Sequence, residues 1–142
     1  MPLLALQFIR AENRDRSRFT DAGRKIARGS EMRIVTFQER ATPRIIRRVD
    51  DAAARGRFLI DAASGRITET ELFVNTRLDK SPRPKVVTAR IRVAYEEQPR
   101  LHLWLPISMD ETYHGVGIIE GHATYSNFRR FSVDTNEIIK SR

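Results

Sequence analysis

Strict alternation of apolar and polar side chains is the feature of this sequence that most restricts its fold. In the segment 87–95, valine, alanine, isoleucine and tyrosine occupy every second position, and mainly threonine and arginine stand between them. Successive side chains of a β-strand point to opposite faces of a sheet, so this segment predicts a strand with one buried and one solvated face. Helical periodicity is nearly absent from the chain. The sequence therefore predicts an all-β fold with very little helix.

The same alternation recurs along the chain. In the segment 101–109, leucines alternate with polar residues and predict a face shared with Ile107 and Met109, opposite to Trp104. Pro106 cannot donate a hydrogen bond to a neighbouring strand, so this strand is expected to be bulged there or to lie at an edge. Further strands are predicted at 32–39, 45–49, 57–61, 66–76 and 117–131.

Short polar segments separate these strands. The segment 61–65 predicts a hairpin turn with a left-handed residue at Gly65, and further turns are expected at 78–85, 96–100 and 112–116. Such short connections leave no room for the crossover helices of a parallel sheet. We therefore expect about seven to nine strands in antiparallel meander order, forming a single curved sheet or half-barrel. A short helix, or alternatively a last strand, is expected within 132–139.

The length and the cysteine content limit the kind of protein. A chain of 142 residues without cysteine predicts a single β domain over residues 1–142 whose core needs no disulfide or thiolate metal site. Its longest apolar run is far shorter than the roughly 20 residues of a membrane-spanning helix. The apolar start, 1–10, is interrupted by Gln7 and lacks a basic beginning, so it does not resemble a signal peptide. We expect a cytoplasmic protein if the chain is complete, and an exported one if it is the C-terminal part of a longer precursor.

No group of residues predicts catalysis or a bound cofactor. The three histidines, His102, His114 and His122, show no spacing typical of metal ligands. Asp110 and Glu111 are adjacent, so in a strand they point to opposite faces and do not act on one reacting atom. Glu69 and Glu71 share a face, and we expect them to form ion pairs with arginines such as Arg66, Arg90 and Arg92 on neighbouring strands. The sequence predicts a non-enzymatic protein without metal or cofactor.

The positive charge leaves a second function open. The net charge is +8 and the isoelectric point is near 10.7, which is compatible with a surface that binds nucleic acid or an acidic partner. The candidate residues are Arg44, Arg47, Arg48 and Arg57. Phenylalanines fall mainly on the apolar faces rather than among the arginines, and stacking aromatics are typical of single-strand binding surfaces. The pattern favours a solubilising outer face over nucleic-acid binding.

Four segments together resemble a known kind of protein. They are Gly56-Arg57-Phe58-Leu59-Ile60-Asp61, Ser64-Gly65-Arg66-Ile67, 103–109 and 121–131, the last with Ala123-Thr124-Tyr125-Ser126-Asn127-Phe128. From about Glu31 onward the chain resembles a domain of uncharacterised, often exported bacterial proteins. Its strand order, with an Asp-x-x-Ser-Gly turn at the centre, is similar to the lipoprotein-carrier half-barrel of periplasmic lipoprotein-sorting proteins. The resemblance implies an apolar ligand or lipid on a concave sheet face, and it supplies no site residues.

These observations predict a non-catalytic β domain that holds an apolar ligand, a lipid or a lipoprotein segment on one face of its sheet. The residues expected to line that face are Leu72, Val74, Val93, Tyr95, Leu103, Trp104, Leu105 and Ile107. A basic module that docks nucleic acid or an acidic partner, and a purely structural module, remain as alternatives. The sequence predicts neither the ligand nor the oligomeric state.

Overall fold

The computed structural model describes residues 1–46, 52–77, 86–115 and 117–131. Two short 3-10 helices, Ala5–Ile9 and Arg14–Arg16, precede the first strand. The strands are β1 (Ser17–Ala27), β2 (Ser30–Glu39), β3 (Arg55–Asp61), β4 (Ile67–Arg77), β5 (Val86–Gln98), β6 (Leu103–His114) and β7 (Ile118–Thr124). None of the helices described is long and apolar enough to cross a membrane.

All seven strands belong to one antiparallel sheet. Its spatial order is β1-β2-β3-β4-β5-β6-β7, so each strand pairs with its neighbour in the sequence. The two end strands, β1 and β7, do not pair with one another, and the sheet is open. The prediction of an all-β fold with a single meander sheet is confirmed.

The two faces of the sheet differ in chemistry, as the alternation requires. The face that we call the inner face carries large apolar side chains, including Phe37, Phe58 and Leu72, which are at most 3% exposed. The opposite face, the outer face, carries mainly arginines and carboxylates. The register of β4 and β5 places Leu72 opposite Ile91 on the inner face and Glu71 opposite Arg92 on the outer face. The inner face therefore supplies the main core, and the outer face meets water except at buried positions such as Met32 and Leu59, which are each 3% exposed.

A bulge in β6 reverses the alternation of that strand. Ala94 lies opposite Ser108, and the next residue, Tyr95, lies opposite Pro106, so Ile107 is an extra residue. This confirms the expected irregularity at Pro106. Because of the extra residue, Trp104 packs against the same core cluster as Met109, and the prediction that these two residues lie on opposite faces is wrong. Leu103 and Leu105, which alternate with Trp104, do not share the inner face with Met109.

The hairpin turn between β3 and β4 has the predicted form. Gly65 has a φ of +71°, a left-handed conformation that glycine adopts without strain. The carboxylate of Asp61 accepts hydrogen bonds from the backbone N–H of Ser64 over 2.7 Å and from its hydroxyl over 2.8 Å. These two bonds lower the pKa of Asp61 below its ordinary value and fix the turn.

Several element boundaries differ from those predicted. The strand β1 was not predicted, because its residues are mostly exposed and a register shift between Asp21 and Arg24 breaks their alternation. The strands β5 and β6 continue into the segments 96–98 and 112–114, where turns were expected. The last strand ends at Thr124 rather than at 131. The predicted turn at 78–85 and the predicted element within 132–139 lie outside the described residues.

The connection from β2 to β3 is organised by a buried carboxylate. Glu39 is 3% exposed and accepts hydrogen bonds from the backbone N–H groups of Ile45, over 2.6 Å, and Ala54, over 3.1 Å. Ile45 and Ile46 pack against the core but form no strand, so the strand predicted at 45–49 is wrong for these two residues. Its remaining residues lie outside the described part of the chain.

Candidate functional site: an apolar cleft and a charged outer face

The inner face is covered by the N-terminal segment of the chain. Phe8, in the first 3-10 helix, is fully buried, and its ring stacks on Phe37 with centroids 4.7 Å apart. Ala5, one turn earlier, is 4% exposed. The centre of the inner face is therefore filled by the protein's own side chains. Any open apolar site must lie at the margin of this contact.

Tyr95 ties the start of this segment to the sheet. Its phenol donates a hydrogen bond to the backbone carbonyl of Pro2 over 2.7 Å and lies 3.3 Å from the hydroxyl of Thr70. Burial raises the pKa of Tyr95 above its ordinary value, and the hydrogen bond with Thr70 opposes part of that shift. The hydrogen bond to Pro2 requires the neutral phenol, because only that form has a proton to donate.

An apolar cleft remains where the N-terminal segment meets the ends of β4 and β6. Its volume is about 310 Å³, at the lower end of the roughly 300–1,000 Å³ of small-molecule sites. Its lining residues are Leu3, Leu6, Ile9, Gly65, Arg66, Ile67, Tyr95 and Trp104. Most of these side chains are hydrocarbon or aromatic, and Arg66 is the one cation among the lining residues that the structure describes. The cleft is therefore suited to a hydrocarbon chain.

Trp104 and Arg66 form one wall of the cleft. The indole N–H of Trp104 donates a hydrogen bond to the backbone carbonyl of Ile67 over 2.5 Å, so the ring is fixed in orientation. The guanidinium of Arg66 lies 5.1 Å from the centroid of that ring, a distance at which a cation is attracted to the aromatic face. Arg66 also forms an ion pair with Glu97 at 3.3 Å, and both side chains are nearly half exposed. Exposed pairs of this kind contribute about 0–1 kcal/mol.

Only two of the eight residues predicted to line a ligand face border this cleft, namely Tyr95 and Trp104. Leu72, Val74 and Val93 are at most 2% exposed and lie in the closed core beneath the N-terminal segment.

The other three predicted residues lie in the first half of β6. Leu103 is 46% exposed, and Leu105 and Ile107 are half-buried outside the core cluster. None of the three borders the cleft.

The sequence did contain a signal for the residues that were missed. Leu3, Leu6 and Ile9 are spaced by three, which in a 3-10 helix places side chains on one face. The segment 1–10 was nevertheless not predicted to form a helix or to line a site. Its apolar spacing predicts a short amphipathic helix, but it does not predict which part of the sheet that helix covers.

Ion pairs organise the middle of the outer face. Glu71 is 3% exposed, and its carboxylate contacts the guanidinium groups of both Arg57 and Arg90. Glu69 pairs with Arg92 at 3.5 Å. The predicted cross-strand ion pairs are thus present for Arg90 and Arg92, while Arg66 pairs with Glu97 instead.

The three histidines lie at the surface and apart from one another. His122 contacts Asp110 across β6 and β7, with Nδ1 2.6 Å from a carboxylate oxygen. His102 lies in the turn before β6 with a φ of +52°, and His114 ends β6. Among the residues that the structure describes, no three histidine or acidic side chains are grouped as metal ligands would be.

The four predicted basic-surface residues do not form one described patch. Arg57 is half-buried on the outer face and is paired with Glu71. Arg44 lies in the segment after β2, where it donates a hydrogen bond to the carbonyl of Ala41 over 3.2 Å. Arg47 and Arg48 lie outside the described residues.

Comparison with known proteins gives no relative. No family model matches the chain, no curated protein matches it, and no solved structure matches it. The similarity to lipoprotein carriers therefore stays a prediction, and any function must be argued from the residues themselves.

Proposed function

We propose that this protein is a non-catalytic β domain that binds the hydrocarbon chain of an anionic amphiphile, such as a fatty acid, in the apolar cleft. The observation that carries the proposal is the combination of a hydrocarbon-lined cleft with one cation, Arg66, among its described wall residues. An alkyl chain would lie against Trp104 and Ile67, and its carboxylate would contact the guanidinium of Arg66.

The pairing of Arg66 supports this role. Its partner, Glu97, is 49% exposed, and the two groups meet at 3.3 Å. A ligand carboxylate beside the cleft can replace Glu97, because an exposed ion pair of this kind is weak. The stacking of Arg66 on Trp104 keeps the cation next to the apolar wall.

The size of the cleft limits the affinity. Burying about eight methylene groups contributes about 6 kcal/mol. Part of this is offset by the loss of ligand freedom on binding. We therefore expect dissociation constants no tighter than the micromolar range, and a preference for chains of medium length.

The sole tryptophan makes a direct test available. Trp104 fluorescence is recorded while sodium dodecanoate is added below its micelle concentration. We expect a saturable change with one ligand per chain, and native mass spectrometry of the protein purified from cells is expected to show an apolar adduct. A bare mass of 16.4 kDa, together with unchanged fluorescence, would contradict the proposal and favour a structural module.

One variant and a matched control locate the binding. Leu3 is 49% exposed and lines the cleft, so Leu3→Asp places a charge beside the chain without disturbing the core, and we expect at least tenfold weaker binding. Ile26→Asp is the matched control, since Ile26 is 74% exposed on β1 and does not line the cleft. Equal effects of the two substitutions would show that dodecanoate does not bind in this cleft.

The head group is tested separately. Arg66→Gln is expected to weaken the binding of dodecanoate but to leave the binding of the uncharged dodecanol within about twofold. If both ligands are weakened equally, Arg66 acts on the shape of the cleft and does not bind the carboxylate.

A further inference from the structure

A second cleft lies on the outer face, at the β1 end of the sheet. Its volume is about 420 Å³, and it opens on the side of the sheet opposite to the apolar cleft. Its lining includes three guanidinium groups, two hydroxyls and one carboxylate, from Arg18, Arg55, Arg57, Thr20, Thr36 and Glu71. Its chemistry is therefore that of an anion site.

The register of the sheet explains why these residues meet. Arg18 lies opposite Gln38, which in turn lies opposite Arg55, so the three form one row across β1, β2 and β3. Thr20, Thr36 and Arg57 form the adjacent row on the same face. Neighbouring strands lie about 4.8 Å apart. The long side chains of Arg18 and Arg55 therefore reach the same space above β2.

The arginines differ in how their charge is balanced. Arg57 contacts the buried carboxylate of Glu71. Arg55 instead lies over the ring of Phe73, with its guanidinium carbon 4.8 Å from the centroid, which orients the cation without neutralising it. Of the ion pairs among the described residues, none involves Arg18 or Arg55. Two cations of this cleft are thus left for an external anion.

The rest of the outer face limits the size of that anion. Further along the sheet, the face carries the carboxylates of Glu69, Asp110 and Glu120, the first two paired with Arg92 and His122. A long polyanion that extended from the cleft across the sheet would meet these negative charges. A compact ligand confined to the cleft would not, because none of these three residues belongs to its described lining.

We propose that the outer cleft binds the phosphate group of a small phosphorylated ligand. Arg18 and Arg55 donate hydrogen bonds to the phosphate oxygens, for which the planar guanidinium fork is well matched. Arg57, held by Glu71, adds to the positive potential, and the hydroxyls of Thr20 and Thr36 complete the polar lining. This site shares no residue with the apolar cleft and does not depend on the function proposed there.

The test is isothermal titration calorimetry of the full chain with inorganic phosphate and with pyrophosphate, at an ionic strength of about 0.15 M. We expect saturable binding with one site per chain, tighter for pyrophosphate. The variant Arg18→Gln/Arg55→Gln is expected to weaken pyrophosphate binding at least tenfold. The single variant Arg18→Gln, at an exposed position of the end strand, is expected to weaken it about threefold or more.

The matched control removes the same charge elsewhere. Arg129→Gln/Arg130→Gln changes two exposed arginines after β7, and pyrophosphate binding is expected to stay within twofold. Circular dichroism melting curves verify that every variant is folded.

Three results would overturn the proposal. The first is the absence of saturable binding by both phosphate ligands. The second is an equal loss in the two double variants, which indicates non-specific attraction to a basic protein. The third concerns a 12-nucleotide single strand that binds more tightly than pyrophosphate, with a steep salt dependence, and that the two double variants weaken equally. That result would indicate a nucleic-acid surface spread over the molecule.

Discussion

The phenol of Tyr95 donates a hydrogen bond to the backbone carbonyl of Pro2, over a distance of 2.7 Å and a separation of 93 residues. Together with the burial of Phe8, this contact fixes residues 1–9 across the inner face of the sheet. It also defines one border of the apolar cleft, because Tyr95 lines that cleft. The start of the chain is therefore part of the core and of the candidate binding site.

Removal of the Tyr95 hydroxyl tests this contact. Tyr95→Phe keeps the ring but removes the hydrogen bonds to Pro2 and Thr70, and we expect unfolding to require about 1 kcal/mol less. Urea denaturation measures the change. Tyr125→Phe is the control, since within the described part of the chain that hydroxyl hydrogen-bonds to the sulfur of Met109 alone, at 3.8 Å. A loss of equal size in both variants would contradict the role assigned to Tyr95.

Stability at alkaline pH follows from the raised pKa of Tyr95. Because burial favours the neutral phenol, its pKa in the folded protein is higher than in the unfolded chain. The folded state then holds this proton at pH values where the unfolded state loses it, so stability falls as pH rises above about 10. Absorbance at 295 nm is expected to show a late step of tyrosine ionisation, above the ordinary pKa of about 10, that comes from Tyr95. In Tyr95→Phe this late step is expected to disappear.

Phe8 is expected to contribute a large part of the free energy that holds the N-terminal segment on the sheet. It is completely buried and stacks on Phe37, so Phe8→Ala removes a large core side chain and leaves a cavity. A loss of about 3–5 kcal/mol is expected from urea denaturation. Ile26→Ala, at a position 74% exposed, is expected to change stability by about 0.5 kcal/mol or less. A loss under about 1 kcal/mol for Phe8→Ala would mean that the segment does not close the core.

The sequence predicted those elements that are determined by residues close together in the chain. Alternation in the segment 87–95 identified β5, because a strand with one buried face repeats every two residues. The turn at Gly65 followed from the residue types that such a turn needs. Pro106 predicted the irregularity in β6, although the sequence did not indicate that the bulge adds a residue and moves Trp104 to the inner face.

The candidate sites were much less predictable, since they depend on contacts between distant segments. The sequence predicted Tyr95 and Trp104 as residues that line a ligand site, but it did not predict Leu3, Leu6 and Ile9. Which face the N-terminal segment covers is decided by packing against Phe37 and its neighbours, and no short-range pattern encodes it. The outer cleft likewise depends on the register of β1, a strand whose own alternation is too irregular to predict.

The buried carboxylate of Glu71 gives the sharpest test of the outer face. It contacts both Arg57 and Arg90, and Glu71→Gln removes its charge while keeping its size. Breaking a fully buried ion pair costs about 3–5 kcal/mol. Since Arg57 and Arg90 are 33% and 42% exposed, solvent screens part of their charge, and we expect a loss of about 2 kcal/mol.

Glu69→Gln is the matched control, with the same substitution two residues away on the same face of β4. The carboxylate of Glu69 is 21% exposed and lies 3.5 Å from Arg92, so its loss is expected to change the free energy of unfolding by less than about 1 kcal/mol. High salt is expected to reduce the stability loss of Glu69→Gln more than that of Glu71→Gln, because exposed ion pairs are screened more than buried ones. Urea denaturation at two salt concentrations measures both effects. Equal losses for the two variants would show that Glu71 contributes no more than an ordinary surface carboxylate.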